Sequence, residues 1–286
     1  MAAEGRYSRN ELLFGAEGQR RIRAARVGIV GLGGLGSQVA QQLAYLGVLD
    51  FVLVDRDTVT ESSLNRLIGA GADDVGMAKT AVADRMLTAI QPDVRVIPKE
   101  TMLPDEAAQD TLSDRTYIFG CLDEDGPRLI LTELAMSLGI TYLDSASDVL
   151  PDGEYGGRVV FAKGNGCLYC LGEIDQGALR RASLSEDQRQ VHDDIYGIDH
   201  DDLDGAGPSV VSLNGAVASL AVNEFMVDVT GLENPARFTL YYGKQRRIRT
   251  RATEPEPGCP YCSRWPRDNE TTVPTALSPR SEGHAS

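Results

Sequence analysis

A glycine-rich turn from Gly31 to Ser37 limits the folds that this chain can adopt. The apolar run from Val27 to Val30 precedes it and is typical of a buried strand, and helix-forming residues follow from Gln38 to Leu46. Glycines let the backbone turn tightly and approach phosphate oxygens, while the amides and dipole of the following helix favour an anion. The turn therefore predicts a phosphate site, and its glycines are Gly31, Gly33, Gly34 and Gly36.

An acidic residue completes this pattern. A second apolar run, from Phe51 to Val54, ends in Asp55. A carboxylate at this position can accept hydrogen bonds from the hydroxyls of a ribose. The segment therefore predicts a βαβ unit that binds a nucleotide, without saying which nucleotide.

Alternating helical and apolar segments continue to the predicted strand from Thr141 to Asp144 and indicate an α/β fold. We expect a Rossmann-like, doubly wound, mainly parallel sheet. Beyond Pro151 the strands become longer and more alternating, from Arg158 to Lys163 and from Arg237 to Arg249, with an apolar helix from Ser209 to Thr230 between them. These segments predict an antiparallel half that continues the sheet.

The domain prediction has three parts. Residues 1–26 form an N-terminal arm that docks as a short helix pair, and residues 27–267 form the nucleotide-binding domain. Within this domain, a polar stretch at about 172–207 is typical of a crossover loop. Residues 268–286 contain few apolar side chains, which predicts a disordered tail.

Charge and hydropathy exclude several classes of partner. The formal net charge of −14 repels nucleic acid and anionic membrane surfaces. No apolar run approaches the roughly 18 residues of a membrane-spanning helix, and the amino end lacks the apolar core of a secretory signal. We therefore expect a cytoplasmic protein with no nucleic-acid or membrane partner, in which specific Arg and Lys side chains balance the nucleotide phosphates.

Four of the five cysteines form two C-x-x-C pairs. Two such turns can present four thiolates to one tetrahedral ion, which favours a structural zinc site closed to substrate. Disulfides are disfavoured in a reducing compartment, and a thioredoxin-like redox pair is disfavoured because two copies occur outside a suitable βαβ start. The predicted zinc ligands are Cys167, Cys170, Cys259 and Cys262.

Cys121 stands alone, directly after an apolar strand. A cysteine in this position is usually a small buried hydrophobic residue. No cysteine lies between Cys170 and Cys259, so the predicted crossover loop carries no thiol nucleophile.

Motifs spread over almost the whole chain carry a family resemblance. They are Arg6-Tyr7-Ser8-Arg9, Gly31 to Ser37, Asp55-Arg56-Asp57, Asn65-Arg66, Gly76 to Lys79, Cys121-Leu122-Asp123 and both cysteine pairs. Together they resemble the MoeB/ThiF adenylyltransferases, relatives of the ubiquitin-activating enzymes. The resemblance implies ATP with magnesium as the nucleotide, and a small ubiquitin-like or sulfur-carrier protein ending in Gly-Gly as the substrate. A downstream thiol protein or sulfurtransferase would receive the activated carrier.

The same resemblance implies a role for each charged position. Asp55 would hold the ribose, Arg66 and Lys79 would neutralise phosphate oxygens, and Asp123 would hold magnesium. Arg9 would reach the ATP of the other protomer in a homodimer. The positions that would also contact the nucleotide are Gly31, Gly33, Gly34, Gly36, Asp57 and Asn65.

The chain departs from the family pattern at three positions. Ser63 and Leu67 replace an Asn and a Gln near Arg66, and Glu124 replaces an Asn after Asp123. A catalytically inactive scaffold that binds a ubiquitin-like protein therefore stays an alternative. So does an NAD-dependent oxidoreductase, which the plain glycine pattern suggests but which leaves Arg66 and Lys79 without a role.

Overall fold

The structure is a computed structural model that describes residues 5–149, 153–164, 166–174, 209–252 and 256–266. Most of the predicted crossover loop and the predicted tail at 268–286 lie outside these residues. Across the described ranges, no helix has both the length and the apolar character needed to cross a bilayer.

Eight strands form one sheet. Their bounds are β1 Arg26–Val30, β2 Asp50–Val54, β3 Arg95–Lys99, β4 Tyr117–Gly120, β5 Thr141–Val149, β6 Tyr155–Ala162, β7 Phe238–Tyr242 and β8 Arg247–Thr250. The spatial order is β3-β2-β1-β4-β5-β6-β7-β8. Strands β1 to β5 pair in parallel, and β5 to β8 pair in antiparallel fashion. The predicted fold class is confirmed, with a parallel half that the antiparallel half continues.

Helices cover both faces of the sheet. Their bounds are α1 Ser8–Ala24, α2 Gly34–Leu46, α3 Lys79–Ile90, α4 Glu106–Leu112, α5 Asp125–Leu138 and α6 Val211–Thr230. Apolar side chains of α1, α2, α3 and α6 form one core on the first face. Those of α4, α5 and the segments with the cysteine pairs form a second core on the other face.

The N-terminal arm is two helical pieces within α1, joined at Gly15, whose φ of 74° breaks the helix. The Gln19 side chain donates to the Leu46 carbonyl at the end of α2 over 2.8 Å. The Gln91 amide, just past α3, donates to the Tyr7 hydroxyl. The arm is therefore the expected helix pair, and it packs against the carboxyl ends of α2 and α3.

One predicted strand is wrong. The segment from Arg237 to Arg249 is a hairpin, β7 and β8, rather than a single strand. Its turn closes through a 3.1 Å hydrogen bond from the Arg246 amide to the Gly243 carbonyl, and Arg246 has a φ of 53°. The polar turn residues reverse the chain, so β8 becomes an edge of the sheet with all four of its residues exposed.

Candidate active site

A cavity of about 1010 Å³ opens at the carboxyl ends of the parallel strands. Gly31, Asp55 and Cys121, which follow β1, β2 and β4, line it. β1 has β2 on one side and β4 on the other, so the strand order reverses at this point. Open α/β sheets bind ligands where the strand order reverses, and the cavity is large enough for a nucleotide with part of a second substrate.

The glycine turn is shaped by contacts that exclude side chains. A Cβ on Gly36 would lie only 1.9 Å from the Gly31 carbonyl oxygen, and Gly31 itself has a φ of +88°. Gly34 begins α2 and lies against Arg66 and the Asn214 amide. By contrast, a Cβ on Gly33 would meet no atom within 4 Å. Gly36 therefore forms the turn without lining the cavity, and Gly33 leaves space for a ligand.

Asp55 is oriented by two backbone amides. Its Oδ2 accepts from the Leu32 amide at 2.6 Å and its Oδ1 from the Asp57 amide at 2.8 Å. Burial raises the pKa of Asp55, with the Lys79 ammonium acting in the opposite direction. Each carboxylate oxygen keeps a free lone pair, so the group can still accept hydrogen bonds from ribose hydroxyls.

Of the basic side chains that line the cavity, Lys79 and Arg66 are the two that the sequence predicted as phosphate ligands. The Lys79 ammonium is 2.7 Å from Asp57 Oδ2, and this lysine side chain is only 14% exposed. Arg66 Nη1 donates to the Ser62 carbonyl over 2.6 Å and to Asn65 Oδ1 over 3.1 Å. Asn65 is exposed and does not line the cavity, so in this structure it holds Arg66.

Two of the three residues that depart from the family pattern, Ser63 and Leu67, make stabilising contacts in the structure. The Ser63 hydroxyl accepts from the Thr60 amide at 2.9 Å and donates to the Thr60 carbonyl at 2.7 Å, which stabilises the turn before Arg66. Leu67 is buried and packs in a small apolar cluster with Val59 and Val82. Both residues therefore support the loop that carries Arg66.

Asp123 lies at the carboxyl end of β4 and lines the cavity. The side chains of Asp123 and of Glu124, the third departure, are both exposed. Among the described residues, none forms a hydrogen bond or ion pair with the Asp123 carboxylate. A carboxylate in this state can take a hard cation such as Mg²⁺.

Arg9 does not reach the cavity of its own chain. It is exposed, close in sequence to Tyr7, which contacts Gly47 at the carboxyl end of α2. The cavity lies at the other end of α2, where Gly34 is. A helix of this length spans about 20 Å at ~1.5 Å per residue, so roughly that distance separates the arm from the cavity.

Sequence reasoning missed a buried ionic group at the cavity wall, centred on Asp144, whose partners Arg128 and Arg158 line the cavity. The Asp144 carboxylate is fully buried and lies 2.6 Å from Arg158 Nη1 and 3.6 Å from Arg128 Nε. Tyr142 donates its hydroxyl to Asp144 over 2.9 Å, and burial raises the pKa of Tyr142 well above its usual value. The only sequence signal was an acid at the end of a predicted strand, because the partners come from α5 and β6.

The four cysteines of the two pairs converge, and all their Sγ atoms lie within 4.8 Å of one another. The Sγ atoms are 3.8 Å apart for Cys167 and Cys170, 3.8 Å for Cys167 and Cys259, and 3.6 Å for Cys170 and Cys262. Tetrahedral zinc with Zn–S bonds of about 2.3 Å separates its sulfurs by roughly 3.8 Å. The hydrogen bond between Cys167 and Cys262 raises the pKa of Cys167 and lowers the pKa of Cys262, and burial raises the pKa of Cys170. We call these four residues the cysteine cluster.

Cys121 lies on the cavity wall, yet it is not a reactive thiolate. Burial and the nearby Asp144 carboxylate raise the pKa of Cys121 above its usual value. The thiol therefore stays protonated at neutral pH, although Cys121 is only partly buried.

Comparisons with known proteins agree with this architecture. A model of the ThiF family matches residues 7–261. The "sulfur carrier protein ThiS adenylyltransferase" of Escherichia coli (strain K12) is 30% identical over 263 residues, which cover 90% of this chain and 94% of that protein. The Bacillus subtilis (strain 168) protein of the same description is 36% identical over 172 residues, but the match spans only half of its length.

The fold has solved counterparts. The structure described as "Crystal structure of E. coli MccB + MccA-N7isoASN" superposes with a TM-score of 0.74 at 19% sequence identity. The match covers 91% of this chain and 75% of that one. At this level of identity, the similarity shows a shared fold.

Proposed function

The chain belongs to the ThiF family, and from that membership we propose an ATP-dependent adenylyltransferase that activates the terminal carboxylate of a small carrier protein. The carrier is a ubiquitin-like or sulfur-carrier protein ending in Gly-Gly. One observation carries the proposal: the glycine turn, Asp55, Arg66, Lys79 and Asp123 line one cavity at the point where the strand order reverses.

The reaction explains why cations gather there. A carboxylate oxygen of the carrier attacks the α-phosphorus of ATP and forms an acyl-adenylate anhydride. The bond between the α-phosphorus and the bridging oxygen breaks, and pyrophosphate leaves with its electron pair. Because two anions must approach each other, cations fixed around the phosphates lower the barrier, and alignment of the reacting groups lowers it further.

The residues divide this work. The amides of the glycine turn and of the α2 amino end bind phosphate oxygens, and Asp55 accepts the ribose hydroxyls. Arg66 and Lys79 neutralise charge on the phosphates. The ion pair with Asp57 positions the Lys79 ammonium for its contact with a phosphate oxygen. Asp123 would hold magnesium, which would reduce the negative charge on the phosphates.

Arg9 acts from the partner subunit of a homodimer. Its own cavity is at the far end of α2, so only a second copy of the arm can bring this guanidinium to the phosphates. A cation supplied in trans would make each active site depend on both chains.

The cysteine cluster holds zinc as a structural ion. Its four thiolates would complete the shell of the ion and leave no site for substrate. The four cysteines would then join the start of the antiparallel half to the segment that follows β8.

The acyl-adenylate then passes to a separate protein. The predicted crossover loop contains no cysteine, so a downstream thiol protein or sulfurtransferase supplies the sulfur nucleophile. The strongly acidic chain acts in the cytoplasm, without a nucleic-acid or membrane partner.

Isotope exchange tests the proposal. Labelled pyrophosphate should enter ATP only when magnesium and a Gly-Gly-ended carrier are both present, and the same carrier lacking its last two residues should give no exchange. Carrier binding without any exchange would support the inactive scaffold instead. Binding of NAD in place of ATP would point to the oxidoreductase.

A further inference from the structure

The position of Asp123 depends on its backbone, because the described residues offer its side chain no partner. The residue before it is held in place. Arg128 Nε donates to the Leu122 carbonyl over 3.0 Å, and Arg128 is only 6% exposed. This guanidinium therefore holds the backbone between the end of β4 and Asp123.

Arg128 is itself held by two carboxylates. Its Nη1 lies 3.2 Å from Asp125 Oδ1, and its Nε lies 3.6 Å from Asp144 Oδ2. Asp144 is fully buried and also binds Arg158 over 2.6 Å. Buried charges keep such partners strongly, because an unpaired charge in the interior is costly.

Arg158 extends this group toward the cysteine cluster. Its Nε lies 2.8 Å from Glu173 Oε2. The Glu173 amide donates to the Leu168 carbonyl over 3.0 Å, so Glu173 closes the turn that carries Cys167 and Cys170. A continuous ionic path thus runs from this turn to the backbone beside Asp123.

We propose that Glu173, Arg158, Asp144 and Arg128 are positioning residues, through which the metal-bound turn of the cysteine cluster holds Asp123 in place for magnesium. The inference rests on the proposed function, since it takes Asp123 as the magnesium ligand. It adds a role for the cysteine cluster, which then sets the geometry of the cavity as well as the stability of the fold.

The chain offers a matched control. Glu133 on α5 pairs with Arg264, which lies in the turn of the second cysteine pair. This pair also joins the cysteine cluster to the rest of the protein, but both side chains are about half exposed and the ion pair does not include Arg158, Asp144 or Arg128. Glu173→Ala and Glu133→Ala therefore each remove one carboxylate next to the cysteine cluster, and only the first breaks the path.

The first measurement is magnesium binding to the full chain with a non-hydrolysable ATP analogue, by calorimetry and without carrier. Glu173→Ala should weaken magnesium binding by about 3- to 10-fold, while Glu133→Ala matches the wild type. Glu173→Gln keeps an acceptor for Arg158 and should recover most of the affinity. The melting temperature and the zinc content of each variant show whether it is folded and contains zinc.

The second measurement is pyrophosphate exchange as a function of magnesium concentration. Glu173→Ala should raise the magnesium needed for half-maximal rate and leave the KM for carrier unchanged. Removing zinc from the wild type should have the same effect, and removing it from Glu173→Ala should add little, because coupled changes are not additive. Equal magnesium binding in Glu173→Ala and Glu133→Ala, or additive effects of zinc removal, would overturn the inference.

Asp123→Ala separates this inference from the proposed function. If that variant binds magnesium like the wild type, Asp123 is not the ligand and the positioning inference fails, whereas pyrophosphate exchange by the wild type still decides the proposed function. If Asp123→Ala loses magnesium while Glu173→Ala keeps it, only the positioning role is refuted.

Discussion

Arg85 holds Asp74 through two parallel hydrogen bonds, Nη1 to Oδ1 and Nη2 to Oδ2, each 2.7 Å long. Asp74 Oδ2 also accepts from the Gly71 amide at 2.7 Å, and Arg85 Nη2 donates to the Gly69 carbonyl over 3.1 Å. A bidentate pair is among the stronger side-chain contacts. Since Arg85 belongs to α3, the pair fastens the loop that carries Arg66 to a helix on the sheet.

This pair predicts how stability responds to acid. The hydrogen bond from Arg85 lowers the pKa of Asp74 from 3.8 to about 2. Because Asp74 is more acidic in the folded protein, its ionised form stabilises the fold. This contribution to the free energy of unfolding is complete above about pH 4, the pKa of an unfolded aspartate, and is lost as the pH falls toward 2. Asp74→Asn should therefore be less stable than the wild type at neutral pH, with a difference that shrinks below about pH 4. Urea unfolding across this range measures it, with Asp73→Asn, at an exposed neighbour, as the control.

Two glycines should respond differently to alanine. In Gly36→Ala the new methyl group would overlap the Gly31 carbonyl, so the turn must distort and the melting temperature should fall. In Gly33→Ala the methyl group points into open space, so the fold should persist while ATP binds more weakly. Calorimetric titration of ATP and thermal melting separate the two effects. Normal ATP affinity in Gly33→Ala would contradict the assignment of Gly33 to the phosphate site.

Asp123→Ala should reduce pyrophosphate exchange by about 100-fold or more, because the metal loses its protein ligand. The fold should be unaffected, since the side chain is exposed and no described residue pairs with it. Glu124→Gln, at the adjacent exposed position, is the control and should stay close to the wild-type rate. Full magnesium-dependent turnover by Asp123→Ala would remove this residue from the site.

Mixing two inactive variants tests whether Arg9 acts from the partner subunit. Arg9→Ala and Asp123→Ala should each be inactive alone. In a mixed dimer, the subunit with an intact Asp123 receives the intact Arg9 of its partner, so equal mixing should restore about a quarter of the active sites. If Arg9 works within its own chain, neither site of the mixed dimer is complete and no exchange returns.

Cys259→Ser should release the metal and lower the melting temperature, because it removes one ligand of a four-sulfur site that joins distant segments. Elemental analysis should find about one zinc per chain in the wild type and little in the variant. Cys121→Ser, outside the cysteine cluster, should keep its zinc. Absence of zinc from the wild-type protein would refute the metal assignment.

Much of the parallel half could be predicted because its signals are local. The strand, glycine turn, helix and Asp55 follow one another within a short stretch, and each element is specified by neighbouring residues. The cysteine cluster could be predicted equally well, because two identical C-x-x-C spacings suggest one tetrahedral ion even though the pairs are far apart in sequence.

The buried ionic group and the β7–β8 hairpin could not be predicted, because they depend on how distant strands align. Asp144 meets Arg158 only because β6 returns antiparallel to β5, and no local pattern fixes that alignment. The hairpin of β7 and β8 was missed because its turn is a polar segment with a non-glycine residue at positive φ, Arg246. Alternation alone cannot show where such a chain reverses.

The exposed edge strand β8 affects how molecules behave at high concentration. An edge strand offers unpaired backbone groups on which the sheet of another molecule can grow. Here that edge carries Arg247 and Arg249, and Arg251 follows directly. A second copy aligning its own β8 there would bring like charges together, and that repulsion protects the protein from aggregating edge to edge.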